Sequence, residues 1–223
     1  LDTGVFQVVK VNSPEEYIAI FSDIARYEME IYGIPASITL AQGLLESGFG
    51  RGELTLKTNN HFGIKCHTGW EGDYDLYDDD EKGECFRKYN HPRYSYRDHS
   101  IFLATRPRYA FLFNLPLNGY KRWAHGLRKA GYATDRKYPQ KLISLIERYE
   151  LYKYDRGVVV NAELPLLEGP LTDEVHIVQR GDTLYALSRR YNVAVDDIRI
   201  VNRIQGDTIS VGQKLTIPSK RTN

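Results

Sequence analysis

The chain has 223 residues and 42% hydrophobic content, enough for one ordinary globular domain and a small second one. Lys and Arg number 30 against 29 Asp and Glu, a formal net charge of +1, so no global field favours nucleic acid or an anionic membrane surface. No apolar run reaches the length of a membrane span, and a start at Leu1 without Met or a hydrophobic leader reads as processed or trimmed.

Residues 1–12 read as an extended lead-in. Ser13-Pro14-Glu15-Glu16 then has the form of an N-cap, a first-turn proline and a capping-box glutamate, which predicts a helix with Tyr17, Ile20, Phe21, Ile24 and Ala25 on its apolar face and Gly33 at its end. Ala36 to Gly50, ASITLAQGLLESGFG, predicts a short helix after Pro35, with Ile38, Ala41 and Leu45 as its buried stripe and Gly48 and Gly50 at its stop. Glu46 falls in the last turn, where the negative end of the macrodipole and the apolar neighbours Leu45 and Phe49 are expected to raise its pKa, as a proton donor requires. The plainer reading of Glu46 is a solvated residue at a helix end.

From Arg51 to about Tyr96 the helical period fades. Asp73–Tyr77 and Glu84–Tyr89 predict a small β-hairpin with Asp78-Asp79-Asp80-Glu81-Lys82-Gly83 at its tip. The two cysteines, Cys66 and Cys85, either pair in an oxidising compartment or stay as buried thiols. His61, Cys66, His67, Cys85 and His91 show no recognised ligand spacing, so no metal is expected. Helix resumes over 96–150: Ile101, Phe102 and Leu103 precede a break at Pro107, Tyr109 to Phe113 stay apolar, Tyr120, Trp123, Ala124 and Leu127 form a helix ended by Gly131, and Leu142, Ile143, Leu145 and Ile146 mark the last. Tyr132, directly after a glycine-capped helix, can anchor its ring and present its hydroxyl to a cleft; otherwise it is a packed loop tyrosine.

The order ESGFG (46–50), NNHFGIK (59–65), GWEG (69–72), CFRKY (85–89) and AGYATD (130–135) resembles the peptidoglycan N-acetylglucosaminidases of glycoside hydrolase family 73, over roughly residues 13–150. The resemblance implies an α+β class with a mainly α-helical, lysozyme-like domain and a small β-hairpin. It implies Glu46 as catalytic acid, a hairpin glutamate matched best by Glu81 with Asp78, Asp79 and Asp80 as alternatives, and Tyr132 lining the site. Asn60, Phe62, Trp70 and Tyr77 are the expected substrate contacts, the three aromatic residues as stacking walls. Phe49 stands where tryptophan is common, Arg136 where proline is common and His61 where leucine is common. His61 is expected as a surface histidine or, near the acid, as a sugar contact.

Residues 154–173 read as a linker between a catalytic domain at 1–153 and a module at 174–219. The module has a strand, two short helices and a strand, with Leu184, Leu187 and Tyr191 on the first helix face, Val195 and Ile198 on the second, and Lys214–Ile217 as the closing strand. Its GDTL, YNV and VGQKLTIP segments resemble a βααβ LysM domain. That resemblance implies an N-acetylglucosamine groove between the loop Gly181-Asp182-Thr183-Leu184 and the stretch from Asn202 through Ile204 to Asp207. Asp182 or Thr183 also suits a plain helix cap, and Ala194 replaces a common capping threonine.

Together these features describe an exported hydrolase of the cell envelope, or a secreted one, acting as a monomer on glycan strands without cofactor or metal. It would cut the β-1,4 bond between N-acetylglucosamine and N-acetylmuramic acid. The alternatives are a muramidase or lytic transglycosylase, or a non-catalytic wall-binding scaffold.

Overall fold

A computed structural model describes residues 6–67, 70, 72–78, 82–160, 174–179, 181–191, 195–202, 204 and 208–217. Helix α1 (Pro14–Tyr32) begins as its sequence demands: Ser13 Oγ accepts from the Glu16 N–H at 3.1 Å. The Glu16 carboxylate reaches one residue further back than a capping box, accepting from the Asn12 backbone N–H at 2.8 Å and its side-chain amide at 2.9 Å. Gly33 closes the helix in the left-handed region at φ 70°, donating to the Met29 carbonyl. The buried face is Tyr17, Ile18, Phe21, Ala25 and Met29. Ile20, expected on that face, is exposed because at 100° per residue it sits roughly 120° from the centre of the stripe.

Helix α2 (Ala36–Glu46) is buried from Ala36 through Leu44, a much wider burial than the stripe expected from Ile38, Ala41 and Leu45, and Leu45 itself is only partly buried. It runs through the middle of its unit, so polar residues on it need partners. Ser37 donates its N–H and Oγ–H to the Asp155 carboxylate at 2.8 and 2.7 Å. Gly43 is required by close approach: a Cβ there would lie 2.5 Å from the Tyr17 hydroxyl and 2.9 Å from that of Tyr96.

A short helix that the sequence did not announce, α3 (Glu53–Thr58), precedes strands β1 (Tyr74–Tyr77) and β2 (Glu84–Arg87), which pair antiparallel from Tyr74 opposite Arg87 to Tyr77 opposite Glu84. Cys66 and Cys85 form a disulfide 19 residues apart, tying the hairpin to the segment before it; a loop of this length is worth about 3 kcal/mol in the chain-entropy account. With both sulfurs so bonded, neither is available to a metal.

Helix α4 (Pro92–Thr105) starts earlier than expected because His91 caps it, Nδ1 accepting from Arg93 N–H, with Pro92 in the first turn. A 3-10 helix (Pro107–Asn114), α5 (Tyr120–Lys129), α6 (Tyr138–Arg148) and a second 3-10 helix (Leu151–Asp155) complete the unit. The chain stays fastened past residue 153, since Arg26 donates to the carbonyls of Tyr154 and Arg156 and Val158 packs on the main core. Between α1 and α4 the buried Glu28 carboxylate accepts from Arg97 Nε at 2.9 Å.

The chain divides into two compact units. The second contains β3 (Glu174–Ile177), α7 (Leu184–Tyr191), α8 (Val195–Asn202) and β4 (Lys214–Ile217), the expected βααβ order, with β3 and β4 antiparallel. Val178, Leu184, Leu187, Ile198, Leu215 and Ile217 are its core, with Tyr191 and Val195 packed against it.

Burial raises the Asp155 pKa from 3.8 to about 6, against the pull of its Ser37 hydrogen bonds. A carboxyl with a raised folded-state pKa contributes stability that is full below 3.8 and lost as pH rises through 6, by at most about 3 kcal/mol. Melting temperatures from pH 4 to 7.5 should therefore fall more steeply in the native protein than in Asp155→Asn, and parallel curves would refute the assignment.

Candidate active site

Glu46 is the last residue of α2, and its side chain emerges exposed while nearly everything before it is buried. The chain then reverses through three successive left-handed residues, Gly48 (φ 56°), Phe49 (61°) and Gly50 (76°). Phe49 N–H donates to the Leu44 carbonyl at 2.8 Å, Ser47 Oγ accepts from Gly50 N–H at 2.7 Å, and the Ser47 carbonyl accepts from Gly52 N–H at 2.9 Å. A bulky residue at positive φ costs about 1–2 kcal/mol, and Phe49 is held there by those bonds and by packing of its ring on the core.

Glu46 is held by Tyr138, a residue that the sequence did not single out. Its hydroxyl donates to Glu46 Oε1 at 2.8 Å and accepts from Gln42 Nε2 at 3.0 Å, one turn earlier on α2. Tyr138 opens α6 just before Pro139, a position with no local mark of function; only the fold brings it to Glu46. Its ring stacks on Tyr132, with centroids 5.7 Å apart and planes 29° apart.

Tyr132 is positioned by the end of α5. Gly131 (φ 77°) donates to the Arg128 carbonyl and Tyr132 N–H to the Leu127 carbonyl, the paired bonds of a Schellman stop. His99, Phe102 and Tyr109 surround the Tyr132 ring. Burial, followed by the Glu46 charge, raises the Tyr132 phenol well above 10; burial, then Tyr132 and Glu46, raises that of Tyr138. Both phenols stay protonated at any working pH, so Tyr138 is a permanent donor to Glu46.

Several expected contacts lie elsewhere. Asn60 is buried, with its amide donating to the Ile64 and Arg87 carbonyls and its Oδ1 accepting from Ile64 N–H, so it fastens the loop to the hairpin rather than meeting substrate. Phe62 is a core residue stacked on His99 at 4.1 Å, not an exposed wall. His61 is neither on the surface nor at a sugar: Nδ1 lies 2.9 Å from the Tyr17 hydroxyl among Tyr17, Phe21 and Tyr96, and burial lowers its pKa to about 3.

Tyr77 is half-buried at the end of β1, its ring near-perpendicular to that of Phe86 with centroids 6.3 Å apart. Trp70 is half-buried, its indole N–H donating to the Asp73 carbonyl at 3.1 Å. Glu81, Asp79 and Asp80 lie outside the described residues. Asp78 is exposed, its Oδ1 accepting from Gly83 N–H across the hairpin loop.

In the second unit Leu184 is core, so its side chain does not line a groove. Asn202 spends its amide on the Ile198 and Thr216 carbonyls and its Oδ1 on Thr216 N–H, which locks α8 to β4. Ile204 packs against the same core. Thr183 caps α7 through Ala186 N–H, and Asp182 accepts from Gln179 N–H and bonds His176, which in turn bonds Tyr191. Among the described residues of this loop, Gly181 is exposed at φ 96° and its backbone is free of a side chain that would cover it, while residues 205–207 of the expected groove lie outside the described residues.

An exposed carboxylate on a fixed helix end, gripped by a neutral phenol and flanked by a second tyrosine, suits proton transfer to an uncharged leaving oxygen. Residues 22–151 match the Glucosaminidase family, described as mannosyl-glycoprotein endo-beta-N-acetylglucosaminidase, and residues 176–218 match the LysM domain. The chain is 28% identical to the exo-glucosaminidase LytG of Bacillus subtilis over 88% of its length and 74% of that protein. It is 32% identical to an autolysin of Enterococcus faecalis over 92% of the chain but only 31% of the autolysin, so it spans a minor part of that larger protein. Among solved structures, the glycoside hydrolase domain of Salmonella typhimurium FlgJ aligns with a TM-score of 0.54 and 30% identity, covering 64% of this chain and 91% of that one. A peptidoglycan hydrolase from Sphingomonas sp. A1 aligns with a TM-score of 0.55 and 26% identity, covering 64% and 92%. With the family match spanning well over half of its residues, the chain belongs to the glucosaminidase family of peptidoglycan hydrolases, a glycoside hydrolase with a LysM domain behind its catalytic domain.

Proposed function

We propose that this hydrolase cleaves the β-1,4 bond between N-acetylglucosamine and N-acetylmuramic acid, with Glu46 as the general acid. The observation that carries this reading is the Glu46–Tyr138–Gln42 chain at the exposed end of a buried helix. Glu46 protonates the glycosidic oxygen as the bond breaks, and the phenol of Tyr138 then supports the carboxylate left behind. Tyr132, within electrostatic range of Glu46, borders the reacting sugar, and Tyr77 offers a ring for stacking. A hairpin-tip carboxylate, Glu81 or one of Asp78, Asp79 and Asp80, or the acetamido group of the substrate, stabilises the oxocarbenium-like centre for water attack.

The LysM domain binds peptidoglycan, and tethering the catalytic domain to the same polymer raises the local substrate concentration. Its contact surface is the backbone of the Gly181–Thr183 loop. Among the described residues no helix is long and apolar enough to cross a membrane. The Cys66–Cys85 disulfide fits an exported protein of an oxidising compartment.

Glu46→Gln should reduce solubilisation of purified sacculi by about 10²- to 10⁴-fold, the usual share of a general acid, while native digests carry new reducing N-acetylglucosamine ends. Undiminished lysis by the variant would remove Glu46 from the mechanism, and reducing or anhydro muramic acid in the native digest would overturn the bond assignment. Tyr138→Phe keeps the stack on Tyr132 but deletes the donor; kcat should fall about 10- to 100-fold, the kinetic equivalent of one charge-assisted hydrogen bond, with the melting temperature nearly unchanged. Equal kcat in this variant would show that the hydrogen bond plays no part.

A further inference from the structure

At the end of α2 opposite Glu46, a cleft of about 610 Å³ is lined by Asn118, Tyr120, Tyr152, Asp155, Arg156 and Gly157. The two tyrosine rings are near-parallel, 19° apart in plane with centroids at 6.4 Å. Neighbouring groups hold their positions. Tyr120 donates to Glu147, which is also gripped by Lys121; Tyr152 donates to Glu150; and the Arg156 guanidinium stands 5.9 Å over the Tyr152 ring. Asp155 is fixed by Ser37, and the Arg156 charge acts on Glu150. None of these groups contributes to the Glu46 site, which lies about 14 Å away along the helix axis, taking the nine residues from Ser37 to Glu46 at 1.5 Å each.

Flat aromatic faces beside an amide, a carboxylate and a guanidinium match one kind of ligand well. A pyranose ring presents an apolar C–H face for stacking and a rim of hydroxyl and acetamido groups that need both donors and acceptors. Asp155 and Arg156 in the lining, and Lys121 and Glu147 beside it, offset each other in sign, so a charged ligand gains little, and the polar rim disfavours a purely apolar one. The volume falls within the range of ordinary ligand clefts.

We propose that this cleft is a second glycan-binding site of the catalytic domain, taking one N-acetylhexosamine residue of a strand other than the segment being cut. The proposal rests on the glycan-cleaving function above. Because it is remote from Glu46, the site adds grip on a polymer without touching the chemistry, and its loss should affect insoluble wall far more than a short soluble substrate.

The test uses the full chain. In Glu46→Gln, which binds without turnover, chitotetraose should protect Tyr120 and Tyr152 from hydroxyl-radical labelling read by mass spectrometry, whatever the LysM domain binds. In otherwise native protein, Tyr152→Ala should slow solubilisation of sacculi about 3- to 10-fold, the worth of one aromatic contact, and leave cleavage of a soluble glycan tetrasaccharide unchanged. Asn118→Ala with Arg156→Ala, both at exposed positions, should show the same selectivity without a folding defect. Absence of protection, or equal losses on both substrates, would overturn the site. Failure of the native protein to cleave either substrate would instead overturn the glycosidase reading, and the protection experiment would still report on the cleft by itself.

Discussion

Burying α2 on every side decides most of what surrounds it. Ile38, Leu40 and Leu44 are fully enclosed, each worth about 2 kcal/mol of transfer free energy, and they leave the helix no freedom to slide or rotate. Its first turn is clamped by Asp155 through Ser37, its middle admits two tyrosine hydroxyls only because residue 43 has no side chain, and its last residue must leave the core. Glu46 is that residue. The left-handed reversal through Phe49 is the backbone conformation that ends the helix abruptly enough to leave a carboxylate at the surface rather than another buried turn.

Features whose cause is local could be read directly. Ser13, Gly33 and Gly131 act on the next few residues through their own backbone bonds, and each does so in the structure. Glu46 and Tyr132 were legible for the same reason, since one ends a helix and the other follows a glycine stop. Tyr138 was not. Its role comes from a partner 92 residues away, and a tyrosine ahead of a helical proline carries no pattern that announces it.

The misplaced contacts share a second cause. Asn60, Phe62, Leu184 and Asn202 stand in motifs that surround a ligand-binding surface, and motif membership does not say which members face outward. Asn60 and Asn202 do the same job in different units: an amide, buried at Asn60 and half-buried at Asn202, satisfies main-chain groups from two segments at once, which a hydrophobic residue there would leave unpaired. In the LysM unit the described polar side chains of these motifs, Asp182, Thr183 and Asn202, are likewise engaged in hydrogen bonds within the unit.

His61 shows what such interlocking means for change over time. A histidine occupies this buried position because Tyr17 supplies a polar atom beside its ring, Tyr17 bonds Tyr96 in turn, and both hydroxyls fit only against the bare backbone of Gly43. An exchange of His61 for an aliphatic residue would take from the Tyr17 oxygen one of its hydrogen-bond partners, and because a Cβ at Gly43 would meet both hydroxyls, only exchange of both tyrosines for phenylalanine would open room there for a methyl group. The four positions form one unit of inheritance, and drift in this core should proceed by linked replacements rather than by single steps.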